Sequence, residues 1–293
     1  MIKGSIVALM TPFTDEGVDE PTLTKLVDWH VEQGTDGIVP CGTTGESPTL
    51  SHKEHMRVVE ICVEAAQGRV PVIAGAGSNS TTEAIHFTQH AKKAGADAVL
   101  SVSPYYNKPT QAGIIAHFTE IAHAVSDMPI ILYNIPGRSV IDITPETMGK
   151  LAKIENIIGV KDATSDMGRI KEQADHCGSN FLQLSAEDGT ALAFNKAGGK
   201  GCISVSANLM PAKCARFQQA CLEGDMMEAE IIDKLLQPLH QALFLETSPA
   251  PLKAAAEMMG LCKGILRLPL VPVESKTRKI LAQVLKDLGA IEA

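Results

Sequence analysis

The chain has 293 residues, 45% of them hydrophobic and 20% charged, enough to bury a large core in one domain or in a domain with an appendage. Its formal net charge of −8 argues against a nucleic-acid binder, whose footprint would be a basic patch, and no apolar stretch approaches the ~20 residues that cross a bilayer. Seven cysteines (Cys41, Cys62, Cys177, Cys202, Cys214, Cys221 and Cys262) are odd in number, scattered and free of any CxxC spacing, which suits a reducing cytoplasm rather than a disulfide frame.

The first residues, through Pro12, read as a strand, because their apolar part is too short for a signal peptide and lacks a small-residue cleavage site. From there short β-branched runs alternate with amphipathic segments. Strands are predicted at 5–10, 37–40, 70–74, 98–101, 130–133, 157–162, 181–185 and 201–205. In the first helical segment Leu23, Leu26, Val27, His30 and Val31 form one stripe at 3.6-residue spacing, which packs the helix on a sheet. Ser51-x-x-Glu54 and Ser80-x-x-Glu83 read as capping boxes, and Thr144-Pro145 as a cap followed by proline at the first helical position. Gly34, Gly68 and Gly95 stand where helices should stop.

Eight such units at roughly 25 residues each give a (β/α)8 TIM barrel at the compact end of its size range. A doubly wound open sheet would want a glycine fingerprint after the first strand, where the chain has Thr11-Pro12-Phe13-Thr14. From about Asp225 strand signals stop and long helical patterns take over, broken at Pro249, Pro251, Pro269 and Pro272. The expected organisation is a catalytic barrel over 1–224 and a C-terminal helical extension over 225–293, of three helices.

In such a barrel the active site lies at the C-terminal ends of the strands. There the most informative residue is Lys161, the one cation in the apolar run Ile157-Ile158-Gly159-Val160-Lys161-Asp162. A lysine at the end of a strand buried on both faces is poorly solvated, and burial favours the neutral amine, the form that attacks a carbonyl to make a Schiff base. Taken from that segment alone, a lysine that snorkels to solvent or pairs with Asp162 is an equal reading. After the second run come Gly42-Thr43-Thr44-Gly45-Glu46-Ser47, whose threonine hydroxyls and amides make a small anion site suited to a carboxylate. After the fourth and fifth come Ser103-Pro104-Tyr105-Tyr106-Asn107 and Tyr133-Asn134-Ile135-Pro136-Gly137-Arg138. The chain has only three tyrosines, and all three fall at these strand ends. Arg138 adds a fork-shaped donor for a second carboxylate.

Together with Ile158-Gly159-Val160-Lys161-Asp162-Ala163 and Gly201-Cys202-Ile203-Ser204-Val205, in this order and at these strand ends, these motifs resemble the dihydrodipicolinate synthase family. That family lies within the N-acetylneuraminate lyase superfamily of pyruvate-dependent class I aldolases. The resemblance runs from Gly4 through the helical tail. It implies that Lys161 forms a Schiff base with pyruvate, while Thr44 and the Ile203 region hold the carboxylate and methyl end. Tyr133, Thr43 and Tyr106 would form a hydroxyl relay, with Tyr106 contributed by a neighbouring subunit of a homotetramer built as a dimer of dimers. Arg138 would hold the carboxylate of L-aspartate 4-semialdehyde. The protonated imine is the electron sink, so the resemblance implies neither metal nor organic cofactor. One departure is visible: where the family often shows a Gly-Asp pair after the seventh strand, this chain has Ser185-Ala186-Glu187-Asp188, and the resemblance implies that the methyl of Ala186 would narrow the semialdehyde pocket.

In lysine-inhibited members the feedback site lies at a dimer interface, and the matching positions here are Ser47, Pro48, His52, His55, Asn79, Glu83 and Tyr105. The resemblance therefore implies L-lysine as a feedback inhibitor, with Glu83 pairing its amines and Asn79 and Tyr105 bonding its polar ends. Three other readings stay open at this point. His52-x-x-His55 and His86-x-x-x-His90 have a spacing that could present two imidazoles to a metal. A barrel that only binds a keto acid would keep the same residues, and a sibling aldolase acting on N-acetylneuraminate or a 2-keto-3-deoxy sugar acid would share Lys161 and Tyr133. Gly75-Ala76-Gly77 and Gly198-Gly199-Lys200-Gly201 complete no phosphate-loop pattern and read as turns.

Overall fold

The computed structural model describes residues 2–292. Among them eight parallel strands form the barrel: β1 (Gly4–Ala8), β4 (Gly37–Val39), β5 (Ile73–Gly75), β6 (Ala98–Val102), β7 (Ile130–Asn134), β8 (Ile157–Asp162), β9 (Leu182–Ser185) and β10 (Gly201–Ser204). A two-stranded antiparallel ribbon, β2 (Phe13–Thr14) and β3 (Gly17–Val18), follows β1. The hydrogen-bonded order runs β4-β1-β10-β9-β8-β7-β6-β5, and the parallel bridge from Ile38 to Val72 closes the ring between β4 and β5. Each predicted strand is present, with ends shifted by a residue or more except at β8.

The helices follow in chain order: α1 (Glu20–Glu32), α2 (His52–Ala66), α3 (Thr81–Ala94), α4 (Gln111–Ala124), the short α5 (Pro136–Ser139), α6 (Pro145–Leu151), α7 (Gly168–Cys177), α8 (Ala191–Lys196), α9 (Pro211–Glu223), α10 (Met226–Ala242), α11 (Ala250–Met258) and α12 (Ser275–Asp287). In α1 Leu23, Leu26, Val27 and His30 are buried, as the stripe predicts, while Val31 is only partly so. Ser51 completes its capping box with Glu54, and Thr144 caps α6 through the Thr147 amide. The Ser80 box is half made. The Ser80 hydroxyl accepts from the Glu83 amide, but the Glu83 carboxylate turns away to Ser78 and His52.

Alternation along the strands sorts the core into two layers. Ile6, Ala8, Val39, Ile73, Leu100, Ile131, Tyr133, Leu184, Ala186 and Ile203 pack together inside the barrel, while a larger cluster including Val7, Ile38, Val99, Leu132 and Val160 fills the space under the helices. Gly75, expected in a turn, ends β5 instead. A Cβ there would lie 2.1 Å from the Cys41 carbonyl oxygen, so glycine is what lets β5 and the loop after β4 meet. The helices α10 to α12 follow the eighth barrel helix, with Asp225 capping α10 through the Glu228 amide. No helix among the described residues is long and apolar enough to cross a membrane, and all seven thiols are free.

Candidate active site

Lys161 and Tyr133 are neighbours because β7 and β8 pair in register, Tyr133 beside Lys161 and Asn134 beside Asp162. Period-two alternation then sends Tyr133 and Lys161 into the barrel and Asn134 and Asp162 outward. Both inward side chains are 6% exposed, and the Lys161 ammonium lies 4.2 Å from the centre of the Tyr133 ring. Among the described residues no carboxylate lies within 4.0 Å of Lys161 Nζ.

Pairing of Lys161 with its neighbour is excluded by what Asp162 does. One carboxylate oxygen accepts from the Thr164 amide at 2.8 Å and the Thr164 hydroxyl at 2.6 Å; the other accepts from Gln173 at 2.6 Å and lies 3.4 Å from Arg169 Nε. Arg169 continues outward to Asp142 at 2.9 Å and the Ile143 carbonyl at 2.8 Å, and Asp142 accepts from Asn134 at 2.7 Å. This polar girdle clamps the ends of β7 and β8 from behind, leaving Lys161 and Tyr133 facing the interior alone. The sequence gives no sign of it beyond the polar residues that follow each strand.

On the other side of β8 from Tyr133, Ala186 just past the end of β9 and Ile203 on β10 belong to the same apolar cluster as Tyr133. The end of β10 is held by buried Asp188, whose carboxylate accepts from the Ser204 hydroxyl at 2.5 Å and from the amides of Val205 and Ser206 at 2.8 and 3.1 Å. Glu187, next to it, lies in the field of both Lys161 and Arg138. Burial raises its carboxyl above the usual range and Asp188 raises it further, against the pull of the two cations.

Thr43 and Thr44 sit in the turn after β4, which closes by bonds from the Gly45 amide to the Gly42 carbonyl and from the Glu46 amide to the Thr43 carbonyl, each 3.1 Å. Thr44 is buried. Thr43, Ile135 and Arg138 line a cavity of about 350 Å³ whose other walls include Ser47, Pro48, His52, His55, Glu83, Phe87 and Tyr105. Thr43 and Arg138 thus share one opening with most of the expected effector residues, while Lys161 and Tyr133 are not among its lining residues. Arg138 is carried on α5, exposed, with one guanidinium nitrogen donating to the Ser248 carbonyl at 3.2 Å.

Within this cavity His52 Nε2 is 2.7 Å from the Glu83 carboxylate, and the bond from Ser78, followed by the imidazole, holds Glu83 below the usual carboxylate range. His55 stacks on Phe87 with ring centres 4.1 Å apart, and burial lowers its imidazole to about 4. His90 faces Glu60 at 3.0 Å. His52, His55 and His90 are therefore turned to separate partners, and the described residues contain no group of three or more metal-ligating side chains. Asn79 donates to the Tyr105 carbonyl at 3.2 Å and accepts from Asn107 at 2.9 Å, so it braces the tyrosine loop. Tyr106 is the residue not gathered here: it is 88% exposed, with φ +72°.

Residues 1–288 match the model of the dihydrodipicolinate synthetase family. The 4-hydroxy-tetrahydrodipicolinate synthase of Parvibaculum lavamentivorans is 58% identical over 291 residues, 99% of this chain and all of that one. Among solved structures, the chloride-inhibited dihydrodipicolinate synthase of Acinetobacter baumannii complexed with pyruvate superposes with a TM-score of 0.96 at 46% identity, over 99% of this chain and 100% of the other. The Cyanidioschyzon merolae enzyme with lysine bound gives a TM-score of 0.95 at 37% identity, over 99% of each chain.

Proposed function

The chain belongs to the dihydrodipicolinate synthetase family, and on that premise we propose that it condenses pyruvate, held as a Schiff base on Lys161, with L-aspartate 4-semialdehyde. This is the reaction of a 4-hydroxy-tetrahydrodipicolinate synthase, in the diaminopimelate route to lysine. The observation that carries the reading is the buried Lys161 amine over the Tyr133 ring, free of any carboxylate within ion-pair distance among the described residues, at the C-terminal mouth of the barrel. A sibling aldolase remains the nearest alternative chemically, but the full-length relative at 58% identity carries the synthase name.

The amine of Lys161 attacks the ketone carbon of pyruvate, and loss of water gives the imine. Thr44 and the Ile203 region hold the pyruvate carboxylate and methyl end. Loss of a methyl proton gives the enamine, which forms the new carbon-carbon bond at the aldehyde carbon while Arg138 holds the semialdehyde carboxylate. The substrate's own amine then displaces Lys161 by transimination and closes the ring. Tyr133, Thr43 and Tyr106 move the protons of these steps, with Tyr106 supplied by a second copy, consistent with its exposure here. We place the enzyme in the cytoplasm as a homotetramer built as a dimer of dimers, with no metal or organic cofactor.

Lysine acts as feedback inhibitor in the cavity walled by Ser47, Pro48, His52, His55, Glu83 and Tyr105, with Glu83 taking its ammonium group and Asn79 fixing the loop that carries Tyr105. A lysine-bound relative supports this part of the reading. The test of the whole is turnover of pyruvate with aspartate semialdehyde, N-acetylmannosamine and glyceraldehyde in parallel. Preference for the semialdehyde supports the synthase; preference for a sugar aldehyde makes the chain a sibling lyase.

A further inference from the structure

Glu46 and Lys253 form an ion pair in which neither side chain has any exposure to solvent, with Lys253 Nζ 3.1 Å from Glu46 Oε1. The contact has the distance of an ion pair but falls short of hydrogen-bond alignment at Oε1. The ammonium also donates to the Ile265 carbonyl at 3.0 Å and lies 4.4 Å from the centre of the Phe13 ring. The guanidinium of Arg267 takes another place over that ring at 4.4 Å. Arg267 reaches this turn and the chain just after it: its amide donates to Glu46 Oε2 at 3.1 Å, and its guanidinium donates to the Thr49 carbonyl at 3.0 Å and pairs with Glu54 at the start of α2.

Glu46 has φ +56° and ψ 35°, the left-handed conformation that residues with a Cβ seldom adopt. It lies one bond network away from Thr43, whose carbonyl accepts the Glu46 amide. Stability alone is a poor reason for such a pair, because a buried ion pair is often replaceable by apolar residues at no loss. What the pair supplies is a fixed position. It reaches from α11 in the C-terminal extension to the turn that presents Thr43 and Thr44.

We propose that Lys253 and Arg267 are positioning residues for the 42–47 turn, holding Glu46 in place so that Thr43 and Thr44 meet the pyruvate carboxylate. The inference rests on the functional reading above, in which Thr44 holds that carboxylate. The C-terminal extension then supports the pyruvate site through α11 and the loop after it.

The test is steady-state kinetics and thermal unfolding of the full chain as Lys253→Met, Glu46→Gln and the double variant. Each single variant leaves a buried group unpaired and lowers the melting temperature; the double variant leaves no lone charge and recovers most of it. In all three, pyruvate kcat/KM falls about tenfold or more, since small misplacements far from the chemistry cost factors of this size. The semialdehyde KM stays within about twofold. A stable double variant with unchanged pyruvate kcat/KM overturns the proposal. Arg267→Met, at a guanidinium 25% exposed, serves if the double variant does not fold; a raised pyruvate KM is expected, and an unchanged one contradicts the proposal. If the unaltered chain forms no imine with pyruvate, the functional reading fails and this inference fails with it.

Discussion

Lys161 and Asp162 are adjacent in the chain and opposite in fate. The strand's alternation sends the lysine inward, where Tyr133 is its neighbour, and the aspartate outward, where Thr164, Gln173 and Arg169 consume its lone pairs. Removing the carboxylate as Asp162→Ala strands those donors in a buried setting, so unfolding should become easier by about 1–3 kcal/mol. Imine formation on Lys161 should survive in the folded fraction, which denaturation combined with pyruvate trapping will show. At the proposed effector cavity the residue to test is Glu83. Glu83→Gln removes the charge but keeps the shape, and the lysine inhibition curve should shift to at least about tenfold higher lysine, as expected for a lost charge-assisted bond. Lys161, Thr44 and Arg138 could be singled out in the sequence because each stands in a short motif at a strand end. Glu46 stood in a motif too, but its partner Arg267 is 221 residues away and no local pattern links them.

Elements were legible where one physical cause dominates. The run 157–162 became β8 without shift, because a continuous β-branched segment buried on both faces has no other easy use. β5 was placed three residues early: Pro71 has no N–H to give a ladder, and Gly75, read as a turn, extends the strand. The ribbon of β2 and β3 has two residues in each strand, too few for any periodicity. Capping of α2 was legible as Ser51-x-x-Glu54, and Ser51→Ala should cost about 1 kcal/mol, measurable by chemical denaturation. What the motif did not show is that Glu54 also binds Arg267, which holds its carboxyl down to about 2. A carboxyl depressed in the fold contributes stability above its ordinary value of 4.5 and loses it as pH falls from there toward 2. Arg267→Met should therefore flatten acid unfolding in that window.

For the molecule as a whole, acid should act earlier through histidine. Burial lowers His30 to about 3 and both His55 and His117 to about 4, from an ordinary 6.5. Between pH 6.5 and about 4 the unfolded chain binds protons that the folded chain refuses, so stability falls as pH falls, and unfolding should take up as many as three protons there. Assembly is the other property of this scale. If Tyr106 serves a partner's site, a mixture of Lys161→Ala and Tyr106→Phe chains allowed to exchange subunits should recover activity that neither has alone, to about a quarter of the unaltered level for random pairing. No recovery would place Tyr106 in its own chain's site or outside the reaction. The barrel was legible because eight repeated units leave few architectures; the link from α11 and the loop after it back to the first turns was not, since long-range packing leaves no periodic trace.

The most direct test is borohydride reduction in the presence of pyruvate, followed by intact mass and peptide mapping. The account predicts one reduced pyruvate adduct per chain, on Lys161, absent from Lys161→Ala along with turnover of the semialdehyde. An unmodified chain, or an adduct on another lysine with Lys161→Ala still active, would contradict it.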